Sequence, residues 1–250
     1  MIKILTSQLD TYTNVNGEKR VKEMDNTNEF ITQIKKYIKN YDSILFIAST
    51  KNDYEKVDLY SSLLFESLKL SGIVFNEYNI LDSRTINKAK KFVDKANFIF
   101  LSGGDTFGQS EFFKEIKLKE LLEDYNGIIV GQSAGSINMA KDVFNSPEQG
   151  EDSEPIYFEG LGLTEINIEP HWKTDTSKFD EYEKYQRNYI LEESQKRDIY
   201  ALCDGSYITI IDNKINEEEG SLLISKLGLN IEDGFKFEDT IYQKELIKCQ

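Results

Sequence analysis

The sequence predicts an α/β domain built on a single doubly wound, mostly parallel sheet with helices on both faces. Three observations carry that expectation. Short continuous apolar runs recur along the chain, segments of helical periodicity separate them, and a Gly-x-Ser-x-Gly turn follows one run directly. Apolar runs without alternation suit strands covered on both faces. Their alternation with helices over residues 1–140 is the pattern of the doubly wound class.

The strand candidates, in order, are Ile2–Thr6, Ile44–Ala48 (ending in Ser49-Thr50), Ile73–Phe75, Phe98–Leu101, Ile128–Val130 and Tyr207–Ile211. Between them Phe30, Ile34, Tyr37 and Ile38 share a helical face, as do Val57, Tyr60, Leu64 and Leu68. Leu118, Leu121 and Leu122 precede Gly127, a helix stop, and Phe179, Tyr182, Gln186, Tyr189 and Ile190 repeat at helical spacing in a charged stretch. Gln8–Asn28 and Asn145–Pro155 are polar and irregular and are expected to be solvated loops. No repeat or linker divides the chain, so one domain is expected over 1–250. In this class, ligands bind beyond the carboxyl ends of the strands, which directs attention to the segment after each run.

Composition narrows the partners. The 250 residues, 39% hydrophobic with 15 Phe and 14 Tyr, can bury a substantial core. Thirty basic against 44 acidic residues give a net charge of −14, which argues against nucleic acid and anionic membranes, since both need a basic face. No stretch approaches the roughly 18 to 20 apolar residues of a membrane helix, and the N-terminus lacks the pattern of a secretion signal. Cys203 and Cys249 form neither a disulfide framework nor a zinc spacing, and a cytoplasmic location is the expectation. A single histidine and scattered carboxylates imply no metal, and no cofactor is expected.

The strongest local signal is Ile128-Ile129-Val130-Gly131-Gln132-Ser133-Ala134-Gly135-Ser136. A buried strand running straight into Gly-x-Ser-x-Gly is the context of a nucleophile elbow, where a strained turn lifts the serine hydroxyl above the sheet. The Ala134 amide is then placed to donate to an oxyanion. A serine hydroxyl needs a base to take its proton, and His171 is the only histidine in the chain. It follows Ile166-Asn167-Ile168-Glu169-Pro170, a strand-like run, and so pairs with Ser133 as the expected catalytic couple. The base comes 38 positions after the nucleophile, with 79 residues still to follow. That spacing disfavours an α/β-hydrolase, whose histidine comes last and usually near the C-terminus.

Leu101-Ser102-Gly103-Gly104-Asp105-Thr106, Gly131-Gln132-Ser133-Ala134-Gly135-Ser136 and Pro170-His171-Trp172, in this order, resemble the peptidase E (aspartyl dipeptidase) and cyanophycinase family of serine peptidases, whose fold is like that of class I glutamine amidotransferases. The likeness extends from Met1 to about Ile211. It implies that the Gly104 amide joins that of Ala134 in the oxyanion hole and that Asp105 orients the loop, with Thr106 expected to cap the helix beyond. It also implies a triad acid on the loop after the nucleophile helix. Glu148 best matches that position, with Glu151, Asp152 and Glu169 as rivals. Gln186-Arg187 matches a Gln-Arg pair of the peptidase E branch, so Arg187 is the candidate to bind a substrate carboxylate; pairing with Glu183 on its own helix is the alternative.

These readings converge on a serine peptidase acting on small peptides, among them dipeptides with an N-terminal acidic residue, with a homodimer allowed. A non-catalytic binder of small molecules or peptides on the same fold is the alternative. A glutaminase is disfavoured, because that chemistry uses a cysteine where Ser133 stands.

Overall fold

The computed structural model of the protein describes residues 1–148, 154–173 and 179–215. Cys249 and the rival acids Glu151 and Asp152 lie outside the described residues, as does the 216–250 portion of the expected domain. The chain runs β1 (Ile2–Thr6), β2 (Tyr12–Val15), β3 (Glu18–Val21), α1 (Phe30–Tyr37), β4 (Ser43–Ile47), α2 (Tyr54–Leu70), β5 (Glu77–Leu81), α3 (Ala89–Lys95), β6 (Phe98–Leu101) and α4 (Thr106–Glu115). It continues through α5 (Leu118–Leu121), β7 (Ile128–Gln132), α6 (Ala134–Ile137), β8 (Asp142–Asn145), β9 (Ile156–Glu159), β10 (Asn167–Glu169), α7 (Glu181–Ser194), β11 (Ile199–Ala201), β12 (Tyr207–Ile211) and β13 (Lys214–Ile215).

Seven strands form the central sheet in the order β13-β12-β1-β7-β6-β4-β5. The run β1-β7-β6-β4-β5 is parallel throughout, while β12 and β13 close one side antiparallel. Alternate residues of each strand enter opposite cores. Leu45, Ile47, Ile99, Leu101 and Ile129 pack with Val93 of α3, Phe112 and Phe113 of α4 and Leu118 of α5. Ile44, Phe46, Phe98, Phe100, Ile128 and Val130 pack on the other face with Phe30 and Ile34 of α1 and Val57, Leu64 and Leu68 of α2. Burial on both faces is why these strands read as unbroken apolar runs.

Three stretches differ from expectation, the shortest being Asn145-Ser146, where Asn145 ends β8 and both residues are buried rather than solvated. Ile73–Phe75 is not a strand, because the end of α2 turns back on itself. Gly72 adopts φ +75°, its amide donates to the Lys69 carbonyl, and the Ile73 amide donates to the Leu68 carbonyl at 2.8 Å. This is a Schellman termination, and it folds Ile73 into the core as the apolar residue just past the cap. The edge strand begins later, as the less apolar β5. Gln8–Asn28 is not simply a solvated loop either. Asn16-Gly17, both at positive φ, turns β2 into antiparallel β3, and Tyr12 packs against Tyr60 of α2. An Asn-Gly turn of this kind matches the right-handed twist of the two strands.

Three two-stranded sheets flank the main one: β2-β3, β8-β9 and β10-β11. The parallel β10-β11 pair matters most for the site, because it leads into His171. The strand-like run before that histidine does form a strand, but in this separate small sheet rather than in the central one.

Gly72→Ala should destabilise the protein by about 1 kcal/mol, the left-handed penalty for a residue with a Cβ, read as a lowered urea midpoint with an unchanged slope. No change in midpoint would contradict the role given to this turn.

Candidate active site

The carboxyl ends of four adjacent parallel strands, β1, β7, β6 and β4, carry Ser7, Ser133, Gly103-Gly104 and Ser49. Ser133 sits at φ 47°, ψ −111°, a strained conformation for a residue with a side chain. Both glycines of the elbow are there because nothing larger fits. A Cβ on Gly131 would lie 2.5 Å from the Ser136 amide nitrogen, and one on Gly135 would lie 2.2 Å from the Leu101 carbonyl oxygen. The elbow is also bonded to β1. The Ser133 amide donates to the Thr6 carbonyl at 3.0 Å, Thr6 Oγ1 donates to the Gly131 carbonyl at 2.8 Å, and Ser136 Oγ accepts the Thr6 amide at 2.9 Å.

Gly103-Gly104 lies beside the elbow, and a Cβ on Gly103 would stand 3.5 Å from Ser133 Cβ. Gly104 has φ +135°, and a Cβ there would fall 2.3 Å from Ser49 Oγ, so the turn requires glycine. Ser49 Oγ donates to the Gly103 carbonyl at 2.7 Å and pins the turn to the end of β4. The helix beyond is capped by Asp105 rather than Thr106. Asp105 Oδ1 accepts the Gly108 amide at 2.8 Å, and Thr106 is the buried first residue of α4. A carboxylate is the stronger acceptor at an N-cap, which leaves Thr106 free to enter the helix. Ala134 opens α6, so its amide has no carbonyl within the helix to bond.

His171 Nε2 lies 3.2 Å from Ser133 Oγ. On the other side of the ring, Nδ1 lies 2.7 Å from Asp204 Oδ1. The carboxylate requires a proton on Nδ1, which leaves the Nε2 lone pair facing the serine hydroxyl. The contact with Asp204 raises the imidazole's affinity for protons above its ordinary value, partly offset by burial. For Asp204, burial works upward, but hydrogen bonds from His171 and Ser7 win and hold its carboxyl below the usual range. The two residues meet because β10 and β11 pair side by side. Leu202 donates to the Glu169 carbonyl and Trp172 donates to the Leu202 carbonyl, so the loops leaving the two strands run together.

The acid at the imidazole is therefore Asp204, where Glu148 was expected. Glu148 Oε1 accepts from Asn145 Nδ2 at 3.4 Å, and its charge reaches His171 only through space. Glu169 fails for a different reason. It is buried, accepts from Ser146 Oγ at 3.0 Å, and is driven by desolvation up to a pKa of about 8. Its hydrogen bonds go to Ser146 and Gln186 rather than to the imidazole, and burial opposes the charge that an imidazolium partner must carry. Asp204 lay in Ile199–Asp204-Gly205, an apolar run ending in an Asp-Gly turn. An acid directly after a strand was the signal that could have found it.

Arg187 is placed differently from an open surface cation. Only 7% exposed, its guanidinium lies between the rings of Trp172 at 3.7 Å and Phe179 at 3.8 Å, and Nη2 donates to the Lys173 carbonyl. Burial lowers its pKa to about 10, so it stays charged at neutral pH. Its neighbour on α7, Gln186, donates through Nε2 to Ser146 Oγ at 3.0 Å.

The opposed shifts set a pH window. His171 binds protons more tightly folded than unfolded, so its contribution is full below about pH 6.5 and is lost as pH rises through the folded value. Asp204 contributes fully above about pH 3.9 and loses that contribution as pH falls through its depressed value. The pair should stabilise the fold most between those limits. Asp204→Asn should bring the His171 pKa down, read unambiguously by NMR because the chain has one histidine. An unmoved titration would contradict the contact.

Comparison with known proteins identifies the family and the fold. No curated protein matches the sequence significantly. A Listeria monocytogenes EGD-e protein described as a peptidase E superposes with a TM-score of 0.58 at 18% identity, covering 86% of this chain and 96% of that one. A peptidase from an acI-B1 actinobacterium gives 0.59 at 14% identity, covering 83% and 82%. At those identities the two structures speak for the fold. The family model for Peptidase family S51 matches residues 15–218, a span that takes in the elbow, the Gly-Gly turn, His171 and Asp204. A peptidase family whose match runs across the whole constellation assigns this chain: it belongs to peptidase family S51 and is a peptidase enzyme.

Proposed function

We propose that this peptidase hydrolyses small peptides through an acyl-enzyme, with Ser133 as nucleophile, His171 as general base and then acid, and Asp204 as the third member of the triad. The observation that carries this reading is the continuous chain from Ser133 Oγ through both imidazole nitrogens to Asp204, at 3.2 and 2.7 Å. His171 takes the hydroxyl proton as Ser133 Oγ bonds to the substrate carbonyl carbon. The amides of Gly104 and Ala134 stabilise the oxyanion, and His171 returns the proton to the leaving amine. Water then attacks the ester by the same proton path in reverse and frees Ser133. The raised proton affinity of His171 suits it to hold the proton between these steps, while activity requires it neutral at the start.

For the substrate, the finer reading is a dipeptide with an N-terminal acidic residue. In a chain of net charge −14 an acidic substrate needs a local cation. Arg187 provides one beside the histidine loop, stacked on the Trp172 ring that follows His171. Among the described residues no helix is long and apolar enough to cross a membrane.

Ser133→Ala and His171→Ala should each lower kcat/KM about 10³-fold or more on any peptide the wild type cleaves, with circular dichroism and thermal midpoint retained. Wild-type turnover in either variant would refute the mechanism. In a dipeptide panel, Arg187→Met should lower kcat/KM for Asp-Xaa and Glu-Xaa at least roughly tenfold more than for neutral dipeptides, the scale of one charge-assisted contact. An equal loss across the panel would overturn the specificity reading and leave Arg187 with its bracing of the loop.

A further inference from the structure

Ser7 follows directly on β1 and is fully buried. Its hydroxyl is used twice. Oγ donates to Asp204 Oδ1 at 2.8 Å and accepts the backbone amide of His171 at 2.8 Å. Its own amide donates to the Ser206 carbonyl at 3.3 Å, so both ends of the residue tie the tip of β1 to the segment around Asp204.

We propose that Ser7 is a positioning residue for the base, fixing His171 and Asp204 in register with Ser133; the inference rests on the catalytic reading of those three residues. The need for such a pin follows from the topology. Ser133 is carried by the central sheet, whereas His171 and Asp204 leave the separate β10-β11 pair. A small error in how the two sheets sit would open the 3.2 Å contact between nucleophile and base. Successive residues at the end of β1 hold the two halves: the Thr6 carbonyl accepts the Ser133 amide, and the Ser7 hydroxyl bonds both His171 and Asp204.

Each partner has a specific reason to need the hydroxyl. His171 sits at φ 55°, a left-handed conformation that a residue with a side chain keeps only where its surroundings enforce it. Ser7 takes up its amide there. The Asp204 side chain is 56% exposed, and among the described residues Ser7 is its one side-chain bonding partner besides the imidazole. Without that bond the carboxylate can rotate towards water and leave Nδ1. Its contact is the largest influence raising the His171 titration, so losing it lowers the proton affinity of the ring.

The test is Ser7→Ala, with Ser7→Thr as the variant that keeps the hydroxyl. On a peptide the wild type cleaves, Ser7→Ala should lower kcat roughly 10- to 100-fold, the scale of a small misplacement of catalytic groups. KM should change little, the acidic limb of the kcat/KM profile should move to lower pH, and Ser7→Thr should recover most of the rate. The imidazole NMR titration of His171 should fall in step. This reading needs no turnover, so it judges Ser7 even if the peptidase mechanism fails on its own tests. A purely structural serine would lower the folded fraction and leave limb and titration in place. That result, an upward movement of either, or an unchanged kcat would overturn the proposal. If Ser7→Ala does not fold, Ser7→Cys, with a weaker donor of similar size, carries the same two measurements.

Discussion

Hydrogen bonds from the end of β1 tie the turn that carries Ser133 to the loops that carry His171 and Asp204. The Thr6 amide and carbonyl grip Ser136 Oγ and the Ser133 amide, and Ser7 Oγ reaches the His171 amide and Asp204. β1 sits in the sheet between β7, which leads into Ser133, and β12, which follows directly on the Asp204 turn. Its continuation therefore lies adjacent to both halves. The strain at Ser133 and the left-handed backbone of His171 persist because this junction is over-determined by hydrogen bonds.

Around that junction the sheet supplies rigidity and the glycines supply closeness. Helices cover both faces, so the central strands cannot shift without disturbing two cores. Gly131 then lets α6 fold back closely on β7, Gly135 lets the Ser133 turn press against β6, and Gly104 brings the neighbouring turn against Ser49. The electrostatics are local as well. A protein of net charge −14 gathers Asp204, Glu148 and Glu169 near one imidazole, yet burial opposes ionisation of Glu169. Asp204 remains the carboxylate in direct contact with the ring.

The fold was legible because its central strands are buried on both faces and so appear as apolar runs, with helical periodicities between them. Ser133 and His171 were legible because the elbow has a rigid steric signature and the chain offers one imidazole. What escaped was set by contacts distant in sequence. Ile73 looked like a strand because apolar character does not distinguish a strand from a residue folded back past a helix cap. Asp204 lies 33 residues from His171 and meets it only because β10 pairs with β11, a register no local pattern announces. The family resemblance points to Glu148 by its place on the loop after α6, and place along the chain says little about which acid faces Nδ1. The Asn16-Gly17 turn, by contrast, was a local signal within a stretch whose polarity concealed it.

In the proposed mechanism the imidazole of His171 makes the Ser133 hydroxyl reactive. A fluorophosphonate probe followed by peptide mass spectrometry measures that directly. The adduct should form on Ser133, at a rate that rises with pH along the neutral fraction of His171 and collapses when the ring is removed. Labelling at another residue, or a rate at Ser133 indifferent to His171, would contradict it.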